Sequence, residues 1–161
     1  PASITPSATT WKIGEEVAGF LLPGGALRFM NDPAADMASK DYYPDRIMPG
    51  GMDNGGVHFN SGIGNLAFYL MSEGGTHPRA KTTNKVTAIG IAKANHIFYV
   101  ANVSLFTSMT NYEGARYATA QAAENLYGRC SSEWRTVHQA WDAVGVPGSW
   151  SLCVKPTGPS L

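Results

Sequence analysis

One short segment of this chain combines residues that could do chemistry, Asp53-Asn54-Gly55-Gly56-Val57-His58-Phe59-Asn60-Ser61. A carboxylate stands five residues before an imidazole, with two glycines between them. The glycines allow the backbone to fold back tightly. Asp53 can then reach one ring nitrogen of His58. Such a bond fixes the tautomer, favours the imidazolium and leaves the other nitrogen for a substrate. From spacing alone, a structural Asp–His pair that merely stabilises a loop explains the segment equally well. The remaining histidines, His77, His96 and His138, have no partner at a chemically informative spacing and read as surface or partly buried side chains.

The elements that must hold the pair follow from the apolar pattern. Residues 1–10 are small and polar and read as a linker or frayed end. Residues 11–59 are broken by Gly and Pro into short extended pieces and loops, an irregular segment long enough to carry function. From residue 60 to 146 the period changes. Ile63, Leu66, Ala67, Leu70 and Met71 fall on one helical face before Gly74-Gly75. A second apolar stretch spans 86–106, a third helix is capped by Thr110 or Asn111, and a fourth by Ser131 or Ser132. Trp134 and Trp141 read as core, and the alanines of the third helix as close packing. Residues 147–161 form a Pro-containing irregular tail. The chain therefore reads as mainly α, with four to five helices preceded by a loop-rich segment.

Composition removes whole classes of function. The 161 residues carry 12 basic and 12 acidic side chains, so no bulk positive charge is available for nucleic acid. No run of eighteen apolar residues exists to cross a membrane. No signal peptide opens the sequence, which is expected of a mature form or a fragment. The two cysteines, Cys130 and Cys153, are too few for a four-ligand zinc finger. They read either as one disulfide or as two core thiols.

The segment DNGGVHFNSGIGNLAFYL closely resembles the signature of the thermolysin-like zinc metalloendopeptidases. WKIGEEV at 11–17, GGALRFMNDP at 24–33, IFYVA at 97–101, AAENLYG at 122–128 and QAWDAVGV at 139–146 resemble further segments of that family, in the same order. The resemblance implies the family's C-terminal helical lobe. By position, His58 resembles the histidine that donates a hydrogen bond to the transition-state oxyanion, and Asp53 the carboxylate that orients it. Arg28 resembles the arginine that holds a substrate carbonyl on the primed side, and Ile13, Val17 and Leu27 the walls of its apolar pocket. An aliphatic pocket rewards a bulky hydrophobic side chain. The implied activity is hydrolysis of peptide bonds on the N-terminal side of such residues.

The same resemblance shows what these residues do not include. The family's zinc is held by His-Glu-x-x-His and a later glutamate, and the motif's own glutamate is the general base. None of the four histidines here lies four residues from another, and no His-Glu pair occurs. The implied partner is the family's N-terminal, zinc-bearing lobe, without which the chain is expected to be inactive. Calcium sites are thinned, with Thr10 and Lys12 flanking Trp11, and Glu15 and Glu16 remain as ligands for an ion shared with the other lobe. The cysteines fit the secreted, vibriolysin-like branch, which carries a C-terminal disulfide; Cys130–Cys153 is the implied pair. The alternative is a non-catalytic module that keeps the fold to bind peptides or proteins.

Overall fold

The computed structural model describes residues 5–7, 9–18 and 20–150. Four helices of twelve to sixteen residues form its body: α3 (Ser61–Glu73), α4 (Ile91–Ser104), α5 (Tyr112–Tyr127) and α6 (Ser132–Ala143). Before them lie β1 (Lys12–Ile13), α1 (Glu15–Ala18), β2 (Arg28–Phe29) and the five-residue turn α2 (Met52–Gly56). The helices contact in sequence and α6 returns to α3, closing a ring. Ile63, Leu66 and Leu70 from α3, Ile97 from α4, Ala122 and Ala123 from α5, and Val137 and Trp141 from α6 fill its interior. Small residues on α5 leave room for Trp141, whose indole N–H donates to Thr119 Oγ1 at 2.9 Å. The fold is the mainly α architecture expected, with Trp134 and Trp141 both buried.

The chemistry of the helix ends selects among the expected caps. Asn111 Oδ1 accepts from Gly114 N–H and opens α5, while Ser131 Oγ accepts from Trp134 N–H and opens α6. Each such cap contributes about 1 kcal/mol. The second apolar stretch is shorter than its pattern suggested. Val86 leaves the helical register to bridge with Gly75, and α4 begins only at Ile91. A lone buried valine fits either structure, so periodicity could not place that boundary.

The irregular segment is pinned to the ring. β1 and β2 pair antiparallel, with Lys12 opposite Phe29 and Ile13 opposite Arg28. Trp11, buried, meets Tyr69 of α3 edge-on at 5.0 Å between ring centroids. Farther along, Lys40 N–H donates to Phe59 O at 2.9 Å. Gly62 lets this strip approach α3, since a Cβ there would lie 2.4 Å from Lys40 O.

His77 and His138 differ from their expected place near the surface, for both are buried. His77 Nδ1 accepts from Arg79 N–H, so Nε2 donates to Asp41 O at 3.2 Å and the ring is neutral. Burial is the main cause that lowers its pKa. His77 lies in a loop with no periodicity to place it, whereas His138 shares the helical face of Trp134 and Trp141 and its burial was available from that spacing.

Candidate functional site

Asp53 and His58 meet across a left-handed turn. Asp53, Asn54, Gly55 and Gly56 all have positive φ, at 57°, 51°, 80° and 78°. Asp, Asn and Gly are the residue types that tolerate this region. The turn brings Asp53 beneath the imidazole. Its Oδ1 accepts from His58 Nδ1 at 2.6 Å and its Oδ2 from the His58 backbone N–H at 2.8 Å. The hydrogen bond from the imidazole is the largest influence holding the Asp53 carboxyl below the usual carboxylate range, against the opposing effect of burial. The carboxylate is mostly covered, while the His58 side chain is 74% exposed. Nδ1 is thus engaged, and Nε2 has no hydrogen-bond partner among the described residues. A ring fixed at one nitrogen and open at the other can present a preorganised donor to a developing oxyanion.

Three residues that motif spacing did not single out hold this turn in place. Asn60 precedes α3 but does not cap it with its side chain. Its Oδ1 accepts from Ile47 N–H, and its Nδ2 donates to Ile47 O and Gly55 O, all within 2.9–3.0 Å. Ser61 Oγ donates to His58 O at 2.6 Å. Tyr112, from α5, donates to Asn60 O at 2.6 Å and accepts from Gly64 N–H at 3.3 Å. Burial pushes the Tyr112 hydroxyl up to about 12, so it remains a donor across the working pH range. Asn60-Ser61, just past Phe59 and the histidine, is the one sequence signal for this clamp; Tyr112 is about fifty residues away and has none.

The structure places Arg28 on β2. Its Nη1 donates to Leu27 O at 2.8 Å and lies 3.6 Å from Asp36 Oδ2. Asp36 is held by Ser39 Oγ and by the Ser39 and Ala38 N–H groups. Burial raises its pKa, but those hydrogen bonds and Arg28 outweigh it and leave the carboxyl below its ordinary value. With five donors on the guanidinium, this anchorage leaves N–H groups for a ligand.

Ile13, Val17 and Leu27 gather around Gly14. Leu27 N–H donates to Ile13 O at 2.8 Å, and a Cβ on Gly14 would sit 3.1 Å from Leu27 Cβ and 3.9 Å from Val17 Cγ2. All three are exposed, as are Phe20 and Leu21 in the same stretch. So much large apolar surface in one segment marks an interaction site. Glu15 and Glu16 open α1. Among the described residues, no three His, Cys, Asp or Glu side chains gather closely enough to hold a metal ion. A zinc ion therefore does not fit the residues described here. Cys153 lies outside the described residues, and so does the expected pairing with Cys130.

A family model described as "Thermolysin metallopeptidase, alpha-helical domain" matches residues 2–146. The chain is 46% identical over 136 residues to thermolysin from Alicyclobacillus acidocaldarius subsp. acidocaldarius, covering 84% of this chain and 24% of that protein. It is 44% identical to bacillolysin from Bacillus cereus and 40% identical to bacillolysin from Brevibacillus brevis, over 84% of this chain and 23% and 25% of those proteins. The chain thus spans about a quarter of the length of the curated relatives it matches. The ring of helices and the extent of these matches agree, and the chain belongs to the thermolysin metallopeptidase family as its alpha-helical domain.

Proposed function

We propose that this chain supplies the oxyanion-stabilising and primed-side half of a peptide-hydrolysing cleft. The observation that carries the reading is the Asp53-locked imidazole of His58, its Nδ1 engaged at 2.6 Å and its ring exposed. In its doubly protonated form the ring donates from Nε2 to the oxygen of the tetrahedral intermediate. Arg28, anchored by Asp36, holds a substrate carbonyl beyond the scissile bond. Ile13, Val17 and Leu27 contact the bulky hydrophobic side chain that follows that bond. Asp53 acts by positioning His58, and Asp36 by positioning Arg28, through carboxylate contacts already formed in this chain.

The partner is a second, zinc-bearing lobe, and the exposed apolar side chains of residues 13–27 are suited to packing against it. Glu15 and Glu16 complete a calcium site only with ligands from that lobe. The protein is secreted, and Cys130 and Cys153 form a disulfide.

Peptide hydrolysis in the presence of zinc, compared between this chain alone and the complete peptidase, tests the reading. Cleavage before Leu or Phe is expected only in the complete protein, and cleavage by the chain alone would overturn it. Within the complete protein, Arg28→Ala removes a charged donor worth about 2 kcal/mol to a bound carbonyl. An increase of roughly tenfold or more in KM is expected, measured on a peptide that extends past the scissile bond. An unchanged KM would take Arg28 out of the site.

A further inference from the structure

The side of the ring formed by α5 and α6 carries a buried histidine that the proposed cleft does not use. His138 is 7% exposed, and neither ring nitrogen has a hydrogen-bond partner among the described residues. It lies between two indoles. Trp134 meets it edge-on at 4.3 Å, and Trp150 stacks on it at 5.2 Å with 8° between the planes. Trp150 lies on a strap, residues 146–150, that crosses α5 and α6. Arg116 Nη1 donates to Val146 O at 2.7 Å, and a Cβ on Gly148 would sit 2.5 Å from Arg116 Nε. Asp142 fastens both parts, accepting from Arg116 Nη1 at 2.6 Å and from the Trp150 indole at 2.8 Å. Beside the strap opens a cavity of about 590 Å³, lined by Tyr117, Gln121, Glu124 and Arg129 together with the two tryptophans.

We propose that the 146–150 strap is an acid-released lid, in which protonation of His138 displaces Trp150 and exposes the imidazole to the solvent of this cavity. The neutral imidazole satisfies the closed arrangement because it packs as an aromatic plate. A proton added there finds no acceptor among the described residues. Its nearest charged neighbours are Arg116 on α5, which repels it, and Asp142 on α6, already committed to Arg116 and Trp150. Glu124 on α5 and Arg129 after it lie at the cavity wall. Among the described residues the Trp150 ring is held by one hydrogen bond, whereas Trp134 sits within α6. Displacing Trp150 is therefore the least disruptive way to hydrate the imidazolium.

Closed, His138 has its pKa pushed down to about 4, chiefly by burial and then by Arg116, with Asp142 opposing. Once hydrated, it returns to about 6.5. The open form alone binds the proton in this interval, so the closed form is favoured above about pH 6.5 and loses that advantage as pH falls towards 4. The opening constant then rises by up to about 300-fold.

Hydrogen exchange of the Trp150 indole N–H, followed by NMR on the full chain and corrected for intrinsic exchange, reads the opening directly. Protection is expected to fall by about 100-fold from pH 7 to pH 4, while the Trp141 indole stays protected by Thr119. His138→Phe keeps the aromatic plate and is expected to abolish the pH dependence, although Asp142 is retained. A dependence that survives in His138→Phe would overturn the proposal, as would loss of protection at Trp141 in step with Trp150. The His138 imidazole signal gives an independent readout in the unaltered protein: titration near 6.5 with Trp150 still protected would overturn it too.

Discussion

In the complete peptidase, His58→Ala is expected to lower kcat by about 10²–10³-fold while leaving KM within a few-fold. The reason lies in timing. The ground-state carbonyl carries little charge, so a donor at that position gains most of its value as the oxyanion forms. Removing one such donor costs about 3–4 kcal/mol of barrier stabilisation. His96 is the appropriate control because it is exposed on α4. His77 and His138 are buried, and their loss would confound catalysis with folding. Equal loss of kcat in His96→Ala, or a change confined to KM in His58→Ala, would remove His58 from the oxyanion site. Asp53→Asn keeps the shape of the partner but not its charge. A smaller fall in kcat is expected, since Nδ1 retains an acceptor but the imidazolium loses its counter-charge. The hydrogen bonds that lower the Asp53 pKa also set a sign. Their contribution to stability is complete above the ordinary carboxylate pKa and is lost as pH falls through the depressed one.

Gly56→Ala is expected to destabilise the domain by roughly 3 kcal/mol and to lower kcat as well. Two costs combine. The residue has φ +78°, where a non-glycine residue loses about 1–2 kcal/mol. The new Cβ would also lie 2.6 Å from Ile47 Cβ and 2.7 Å from Asn60 Nδ2, and such overpacking typically costs about 1–3 kcal/mol. Asn60 cannot yield without breaking its bonds to Ile47 and Gly55, which hold the turn beneath His58. Denaturant unfolding of the variant reports the first effect, and kcat of its folded fraction in the complete peptidase the second. Gly50→Ala supplies the comparison. It shares a positive φ, 83°, but a Cβ there meets nothing within 4 Å, so only the backbone cost should appear. Equal losses in the two variants would mean that the contacts of Gly56 are unimportant.

Asp53 and His58 were legible because their chemistry is local. Five residues and two glycines allow a carboxylate to reach an imidazole, although Asn60, Ser61 and Tyr112 are what hold the turn. The helices were legible for the same reason, since Ile63, Leu66, Leu70 and Met71 describe a face by their spacing alone. Their ends were less so. Thr110 and Asn111 are both adequate caps, and only the packed chain shows Asn111 meeting Gly114.

What tertiary structure alone decided was the environment of each polar group. Asn60 had no assigned role by spacing, yet its side chain clamps two carbonyls while Tyr112, from α5, binds its backbone oxygen. Arg28 shows no partner by spacing until Ser39 and Ala38 fold Asp36 back towards it. His96 and His138 are alike as letters, but one faces water and the other lies between Trp134 and Trp150. A residue's type and its near neighbours determine which conformations and which chemistry are available to it. Desolvation and charge depend on what the rest of the chain packs against it, and those are set by contacts tens of residues apart.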